Sequence, residues 1–186
     1  MIEETLIIVK PHAVKRGLVG RIVAKFEEKG CIISHIKAFR GSIELWQSFY
    51  PSDNNWLKNA GMKTIKSNEE EGIDTKKRLG TDNPIKVGRL IKDWLVKDMS
   101  SGSVIAFIIK GNDIRKKARL ICGATLPNNA IPGTIRFDFS SDTPSMANSE
   151  QRPIHNIVHC ADPEEIRDGK SSFDYESSII FPEIFS

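Results

Sequence analysis

A dispersed set of polar residues, each near the end of an apolar segment or helix, offers the chemistry in this sequence. The set is His159, Asn156, Lys10, Arg119, Thr125 and Arg136. A neutral imidazole is a nucleophile near pH 7, and lysine and arginine supply positive charge for phosphate oxygens. His159 alone is a weak signal, because a histidine beside an apolar strand is usually packed or solvated. Only the whole set predicts nucleophilic chemistry on an anionic ligand.

Missing motifs disfavour other kinds of site. The sequence contains no GxGxxG, GxxxxGK[ST], GxSxG or HExxH motif. Its three cysteines, Cys31, Cys122 and Cys160, have no CxxC spacing, which argues against a disulfide framework and a structural zinc site. A metal site of His155, His159 and Cys160 is not expected either, because neighbouring side chains on a strand point to opposite faces.

Length and charge are those of an ordinary globular chain. The 186 residues, 39% of them hydrophobic, predict a single domain over residues 1–186. The net charge of +3, from 27 basic and 24 acidic residues, permits an anionic ligand but is too small to indicate nucleic acid. Glu3 and Glu4 precede the first apolar run, unlike the basic start of a signal peptide, and no stretch has transmembrane length. We therefore expect a cytoplasmic protein without membrane contact.

Hydrophobic periodicity predicts strands alternating with helices. Leu18, Ile22 and Phe26 recur at helical spacing before Gly30, Ser42 precedes a short helix that Pro51 ends, and Pro84 opens another helix. The expected strands are residues 5–9, 31–39, 103–109 and 154–159; the expected helices are 18–26, 42–50, 84–95 and 113–122, with a long loop at 123–149.

This order of elements predicts an α/β fold, specifically an α+β sandwich of ferredoxin-like type. In it, helices pack on one face of an antiparallel sheet. Polar, glycine-containing segments interrupt the pattern and are interpreted as insertions at about 51–86 and 140–153.

Several segments together resemble the nucleoside diphosphate kinase family. They run in family order along the chain: ETLIIVKP at 4–11, KRGLVG at 15–20, SGSVIAFIIKG at 101–111, ARLICGAT at 118–125, PGTIRFDF at 132–139 and NIVH at 156–159. FYPSDNNWL at 49–57, followed by GMKT, further resembles a long-form subgroup with an insertion after the second helix.

The resemblance implies a phosphotransferase that works through a phosphohistidine. His159 would take the terminal phosphoryl of a nucleoside triphosphate and pass it to a nucleoside diphosphate, with Mg²⁺ bound through the nucleotide phosphates and no metal ligand from the protein. It also implies a homo-oligomer, a tetramer or hexamer of dimers. The implied nucleotide- and phosphate-binding residues are Lys10, Tyr50, Arg119, Thr125, Arg136 and Asn156.

The sequence departs from the family pattern at four positions, two of which directly follow the predicted nucleophile. His12 and Phe137 stand where the family usually has an acid and a glycine, and Cys160 and Ala161 replace a small residue and a serine. Oxidation of Cys160 is a hypothesis for inhibition, beside the simpler interpretation of a small buried residue. Two carboxylates could orient the histidine ring, Asp168 and Glu176, and the residue that stacks on the base is not assigned.

Two alternatives stay open. Ala161 and Phe137 allow a catalytically weak or degenerate nucleotide-binding member of the family. The basic helix from Arg115 to Arg119 allows a nucleic-acid-binding module, although no pair of stacking aromatics is visible on the strands.

Overall fold

The computed structural model describes residues 2–162, 164–167 and 169–185. Its contacts divide into two compact units. The first unit comprises Met1–Arg40, Gly102–Ser141 and Asn156–Ser186, and the second comprises Gly41–Ser101 and Asp142–His155. Within the described ranges, the elements in chain order are β1 (Ile2–Val9), α1 (Pro11–Lys15), α2 (Val19–Glu27), β2 (Ile32–Phe39), α3 (Ile43–Phe49), α4 (Asn54–Glu70), α5 (Thr75–Leu79), α6 (Pro84–Ser100), β3 (Val104–Asn112), α7 (Ile114–Cys122), a 3-10 turn (Pro127–Asn129), α8 (Ile135–Phe139), α9 (Pro144–Ser149), β4 (Val158–Cys160), β5 (Ile166–Arg167), β6 (Lys170–Ser171), α10 (Ser172–Ile180) and α11 (Pro182–Phe185).

An antiparallel sheet forms the centre of the first unit. Its strand order is β2-β3-β1-β4 among the described residues, and β1 pairs with β3 from Ile2↔Asn112 to Val9↔Ile105. On β1, residues 6–9 are completely buried, as an uninterrupted apolar run in a central strand predicts. The architecture confirms the α+β, ferredoxin-like fold class.

Helices of the first unit bury the apolar positions that the periodicity identified. Leu18, Ile22 and Phe26 join Phe107 and Ile109 of β3 in one core, and Phe26 meets the Phe107 ring edge-to-face at 5.6 Å. The last turn of α7 adds Cys122 to the same core. This packing anchors the ends of β1, β4 and α7, where the candidate residues lie.

Close contact between α4 and α6 organises the second unit. A Cβ atom added at Gly61 would collide with the backbone of Pro84, and one added at Gly88 would collide with the backbone of Leu57. Ser42 caps α3 by accepting the Leu45 N–H, as predicted. The interpretation of residues 1–186 as one domain with insertions stays a prediction.

Two predictions of secondary structure are wrong. Residues 123–149 are not one long loop, because a 3-10 turn, α8 and α9 lie within them. The last predicted strand, 154–159, is reduced to Val158–Cys160, because a tight turn at Ile157 precedes it. Alternation of side chains predicts strand propensity but not where a ladder starts. No helix in the described part of the chain is long and apolar enough to cross a membrane.

Candidate active site

His159 lies at the centre of β4, opposite Ile8 of β1. Its side chain retains 20% of its accessible surface. Because strand neighbours alternate, Cys160 points the other way and is buried in the core of the first unit. The strand therefore presents a partly accessible imidazole from a rigid backbone.

Glu176 fixes the orientation of that imidazole. This carboxylate is fully buried on α10, and its Oε2 lies 2.7 Å from His159 Nε2. Its Oε1 accepts a 3.0 Å hydrogen bond from the Ser172 hydroxyl, one helical turn earlier. An ionised carboxylate only accepts hydrogen bonds, so Nε2 carries the proton and the lone pair lies on Nδ1.

The sequence had left two carboxylates as candidates for this contact. Glu176 occupies it, whereas Asp168 lies outside the described residues. Ser172 was not identified from sequence; the only available signal was its four-residue spacing from Glu176 behind the helix-capping Ser171. Ala161 is buried and brings no hydroxyl, so the hydroxyl that bonds Glu176 comes from α10 instead.

A tight turn at Ile157 immediately precedes β4. Ile157 has φ of +72°, and the Val158 N–H donates to the Asn156 carbonyl at 2.8 Å. A hydrogen bond spanning two residues around a positive φ is the rarer, strained form of the γ-turn. The Ile157 carbonyl accepts the Lys10 N–H at 3.0 Å, and the Ile157 N–H donates to His12 Nε2 at 3.2 Å. Both polar groups of this residue are thus held by the segment that follows β1.

Lys10 and Asn156 form a buried pair beside this turn. Lys10 Nζ donates to Asn156 Oδ1 at 2.7 Å, and both residues are less than one-tenth exposed. Asn156 Nδ2 in turn donates to the Thr125 carbonyl at 3.0 Å. Thr125 therefore enters the network through its backbone, while its side chain is on the exposed surface.

Arg136 lies beneath the turn and is 3% exposed. Its guanidinium donates to three carbonyls, those of Gly123 at 2.8 Å, Val158 at 2.9 Å and Asn156 at 3.3 Å. Burial lowers the pKa of Arg136, yet guanidinium remains charged in proteins. It therefore brings positive charge close to His159 while fastening the backbone on both sides of Ile157.

Arg119 lies in the last turn of α7 and is held more loosely. Its guanidinium is 3.5 Å from the Cys160 carbonyl and 3.6 Å from the Asp162 carboxylate. The two side chains of this ion pair keep 37% and 43% of their accessible surface. Long contacts and exposure leave the Arg119 guanidinium able to turn towards a ligand.

Six of the seven predicted site residues lie in the first unit, and hydrogen bonds connect four of these six, namely Lys10, Thr125, Arg136 and Asn156. Tyr50 belongs to the second unit. There it is buried, meets the Phe49 ring edge-to-face at 5.3 Å, and accepts Lys92 Nζ with its carbonyl at 2.9 Å. A phosphate-binding role for Tyr50 stays a prediction.

Two of the residues that depart from the family pattern have different environments. Phe137 is 46% exposed and continues α8, whereas Cys160 is 3% exposed. A hydrogen bond with the Cys122 thiol, reinforced by burial, raises the pKa of the Cys160 thiol. Both features disfavour the reactive thiolate and therefore the hypothesis of direct oxidation.

Comparisons with known proteins agree on one family. The sequence model described as "Nucleoside diphosphate kinase" matches residues 3–65 and 86–183. A nucleoside diphosphate kinase of Pyrobaculum aerophilum is 46% identical over 161 residues, covering 87% of this chain and 88% of that protein. One of Caldanaerobacter subterraneus is 33% identical over 182 residues, covering 98% and 96%.

Solved structures give the same result. The crystal structure of an NDP kinase from Pyrobaculum aerophilum superposes with a TM-score of 0.89 at 41% identity, covering 97% of this chain and 96% of that one. A Borrelia burgdorferi nucleoside-diphosphate kinase, a transition state mimic with bound vanadate and ADP, superposes with a TM-score of 0.70 at 27% identity, covering 97% and 87%. The chain therefore belongs to the nucleoside diphosphate kinase family.

Proposed function

We propose that this chain moves the terminal phosphoryl group of a nucleoside triphosphate to a nucleoside diphosphate, with His159 as the intermediate carrier. The single observation that carries the assignment to His159 is its 2.7 Å contact with the fully buried Glu176. A carboxylate bound to Nε2 holds the ring in one tautomer and leaves Nδ1 as the nucleophile.

The reaction has two balanced halves. Nδ1 of His159 attacks the γ-phosphorus of the triphosphate, and the bond to the β–γ bridging oxygen breaks, so the diphosphate leaves with that electron pair. A β-phosphate oxygen of the second diphosphate then attacks the same phosphorus, and the electron pair of the N–P bond returns to the ring. The Nε2 proton stays in place, and Glu176 stabilises the positive charge that the phosphorylated ring acquires.

Cationic side chains stabilise the negative charge of the transferred phosphoryl group. Phosphoryl transfer requires in-line positioning and positive charge near the equatorial oxygens more than acid–base catalysis. Arg119 is the candidate for direct phosphate contact because its side chain is 37% accessible and weakly held. Lys10 and Arg136 contribute charge from the interior, and Asn156 and Thr125 position the phosphate and ribose. Tyr50 is included in this proposal on the sequence resemblance alone.

Mg²⁺ fits this site as a partner of the nucleotide. Both oxygens of Glu176 are occupied by His159 and Ser172, and Asp162 faces Arg119, so the described carboxylates form no cage around the imidazole. The cationic surroundings suit a metal ion carried on the substrate phosphates. Mg²⁺ bound to the nucleotide phosphates would neutralise part of their charge.

Intact mass measurement tests the proposal. Incubation of the pure protein with ATP and Mg²⁺ should add one acid-labile phosphoryl group, and a subsequent addition of GDP should remove it. His159→Ala should abolish the adduct, and the matched control His35→Ala, on strand β2 at the opposite edge of the sheet, should keep it. The proposal fails if the native chain gains no phosphoryl group, or if His159→Ala gains as much.

Assembly and location are part of the proposal. Ile32 and Ile36 are 67% and 60% exposed on the edge strand β2, which supports a homo-oligomer, a tetramer or hexamer of dimers. Light scattering should give such a mass, and Ile36→Lys should lower it; a monomeric native chain would contradict assembly. All three cysteines are buried free thiols, which suits a reducing cytoplasm, and fractionation of cells would test that location.

A further inference from the structure

We propose that His12 is a positioning residue for the nucleophile. Its Nε2 atom accepts the N–H of Ile157 and so holds the strained γ-turn that aims His159. This inference rests on the proposed function of His159 and adds a residue to which no role in the reaction has been assigned.

The backbone conformation of this turn is energetically unfavourable for Ile157. Ile157 is β-branched and fully buried, and its φ of +72° lies in a region that favours glycine. Such a conformation persists only where the surrounding structure holds it in place. Val158, the next residue, pairs with Val9, and His159 then pairs with Ile8. A relaxed turn would therefore change how His159 enters the sheet.

One short segment holds both polar groups of Ile157. Lys10 donates its N–H to the Ile157 carbonyl at 3.0 Å, and His12 Nε2 accepts the Ile157 N–H at 3.2 Å. Lys10 directly follows β1 and is the N-cap residue of α1, and His12 is the second residue of that helix, which begins with Pro11. The first contact uses the backbone of Lys10, whereas the second uses the side chain of His12. Only the second can therefore be removed by substituting a side chain.

The contact requires residue 12 to provide a hydrogen-bond acceptor for the Ile157 N–H. An Nε2 atom that accepts a hydrogen bond bears a lone pair, so the proton of the neutral His12 ring lies on Nδ1. His159 has the opposite tautomer, because its Nε2 donates to Glu176. Glutamine can place its Oε1 close to the position of His12 Nε2, whereas phenylalanine keeps the ring shape but offers no acceptor.

Two substitutions at His12 test the proposal, with matched substitutions at His35. His12→Phe should slow formation of the phosphohistidine roughly 10- to 100-fold, because a buried N–H loses its acceptor beside the nucleophile. Its KM for the nucleotide should stay close to that of the native enzyme. His12→Gln should restore most of the rate. His35→Phe and His35→Gln should change neither quantity, because β2 lies at the opposite edge of the sheet from β4.

Nitrogen-15 NMR of the native protein gives a readout independent of activity. His12 should show a protonated Nδ1 and an unprotonated Nε2, and His159 should show the reverse. The proposal is overturned if His12 carries its proton on Nε2, if His12→Phe reacts as fast as the native chain, or if His12→Gln is as slow as His12→Phe. A native chain without a phosphohistidine would instead overturn the proposed function, and the tautomer of His12 would still decide whether it holds the turn. If His12→Phe does not fold, the tautomer and His12→Gln together decide the proposal.

Discussion

Two regions adjoin His159, and they hold their charged side chains in opposite ways. The support region, made of Glu176, Ser172 and Arg136, is buried, and its polar groups are matched by short hydrogen bonds. The rim region, made of Arg119 and Asp162, is partly exposed, and its single ion pair is 3.6 Å long.

This difference distinguishes residues that hold the geometry of the site from residues that can bind a ligand. A buried charge is tolerated only when it is fully hydrogen-bonded, so its partners become rigid. An exposed, weakly paired arginine contributes little to stability and can exchange its partner for a phosphate. Changes in the support region should therefore alter stability or chemistry, and changes in the rim region should alter nucleotide binding.

The largest effect is expected for Arg136→Met. It removes the donor to three carbonyls, those of Gly123, Asn156 and Val158, and leaves buried acceptors without that partner. The free energy of unfolding should fall by roughly 3 kcal/mol or more. Urea denaturation measures it. A loss no greater than that of Arg119→Met would remove the distinction between the two regions.

Glu176→Gln should have the next largest effect, on chemistry. The amide can donate to His159 Nε2 and favour the tautomer whose proton lies on Nδ1. Phosphohistidine formation should slow roughly 100-fold or more, as expected when an orienting carboxylate is lost. Rapid-quench measurement of a single turnover gives the rate. An unchanged rate would show that the 2.7 Å contact does not set the nucleophile.

Arg119→Met should leave stability within about 0.5 kcal/mol, as for most surface substitutions. The KM for nucleotide should rise roughly tenfold, because a charge-assisted contact to phosphate is lost. Thermal unfolding and steady-state kinetics on the same sample separate the two quantities. An unchanged KM together with reduced stability would show that Arg119 stabilises the fold, as the support region does, and does not bind the nucleotide.

Asp162→Asn should have the smallest effect. Releasing Arg119 from an exposed ion pair should change stability by less than about 1 kcal/mol and lower the KM slightly. The gain should shrink as salt is added, since exposed charges are screened. Titration of KM against salt concentration checks this. An increase in KM would mean that Asp162 positions Arg119 instead of competing with the nucleotide.

Much of the fold and part of the site could be predicted from sequence. Periodicity placed β1, α2 and α7, because the burial of one face depends on local spacing. Turn and capping residues placed the start of α3 and α6. Motifs in family order predicted His159 as the nucleophile, and they predicted a set of cationic residues without ranking them.

Only the tertiary structure decided which residues contact one another in the site. Glu176 meets His159 across 17 positions, His12 meets Ile157 across 145, and Lys10 meets Asn156 across 146. Local patterns carry no information about such pairs, because strand pairing and helix packing bring them together. Burial likewise separated Arg136 from Arg119, although the two side chains are chemically identical. The sequence by itself therefore determined which groups could react, and the packed sheet decided which of them are buried and which keep exposed surface.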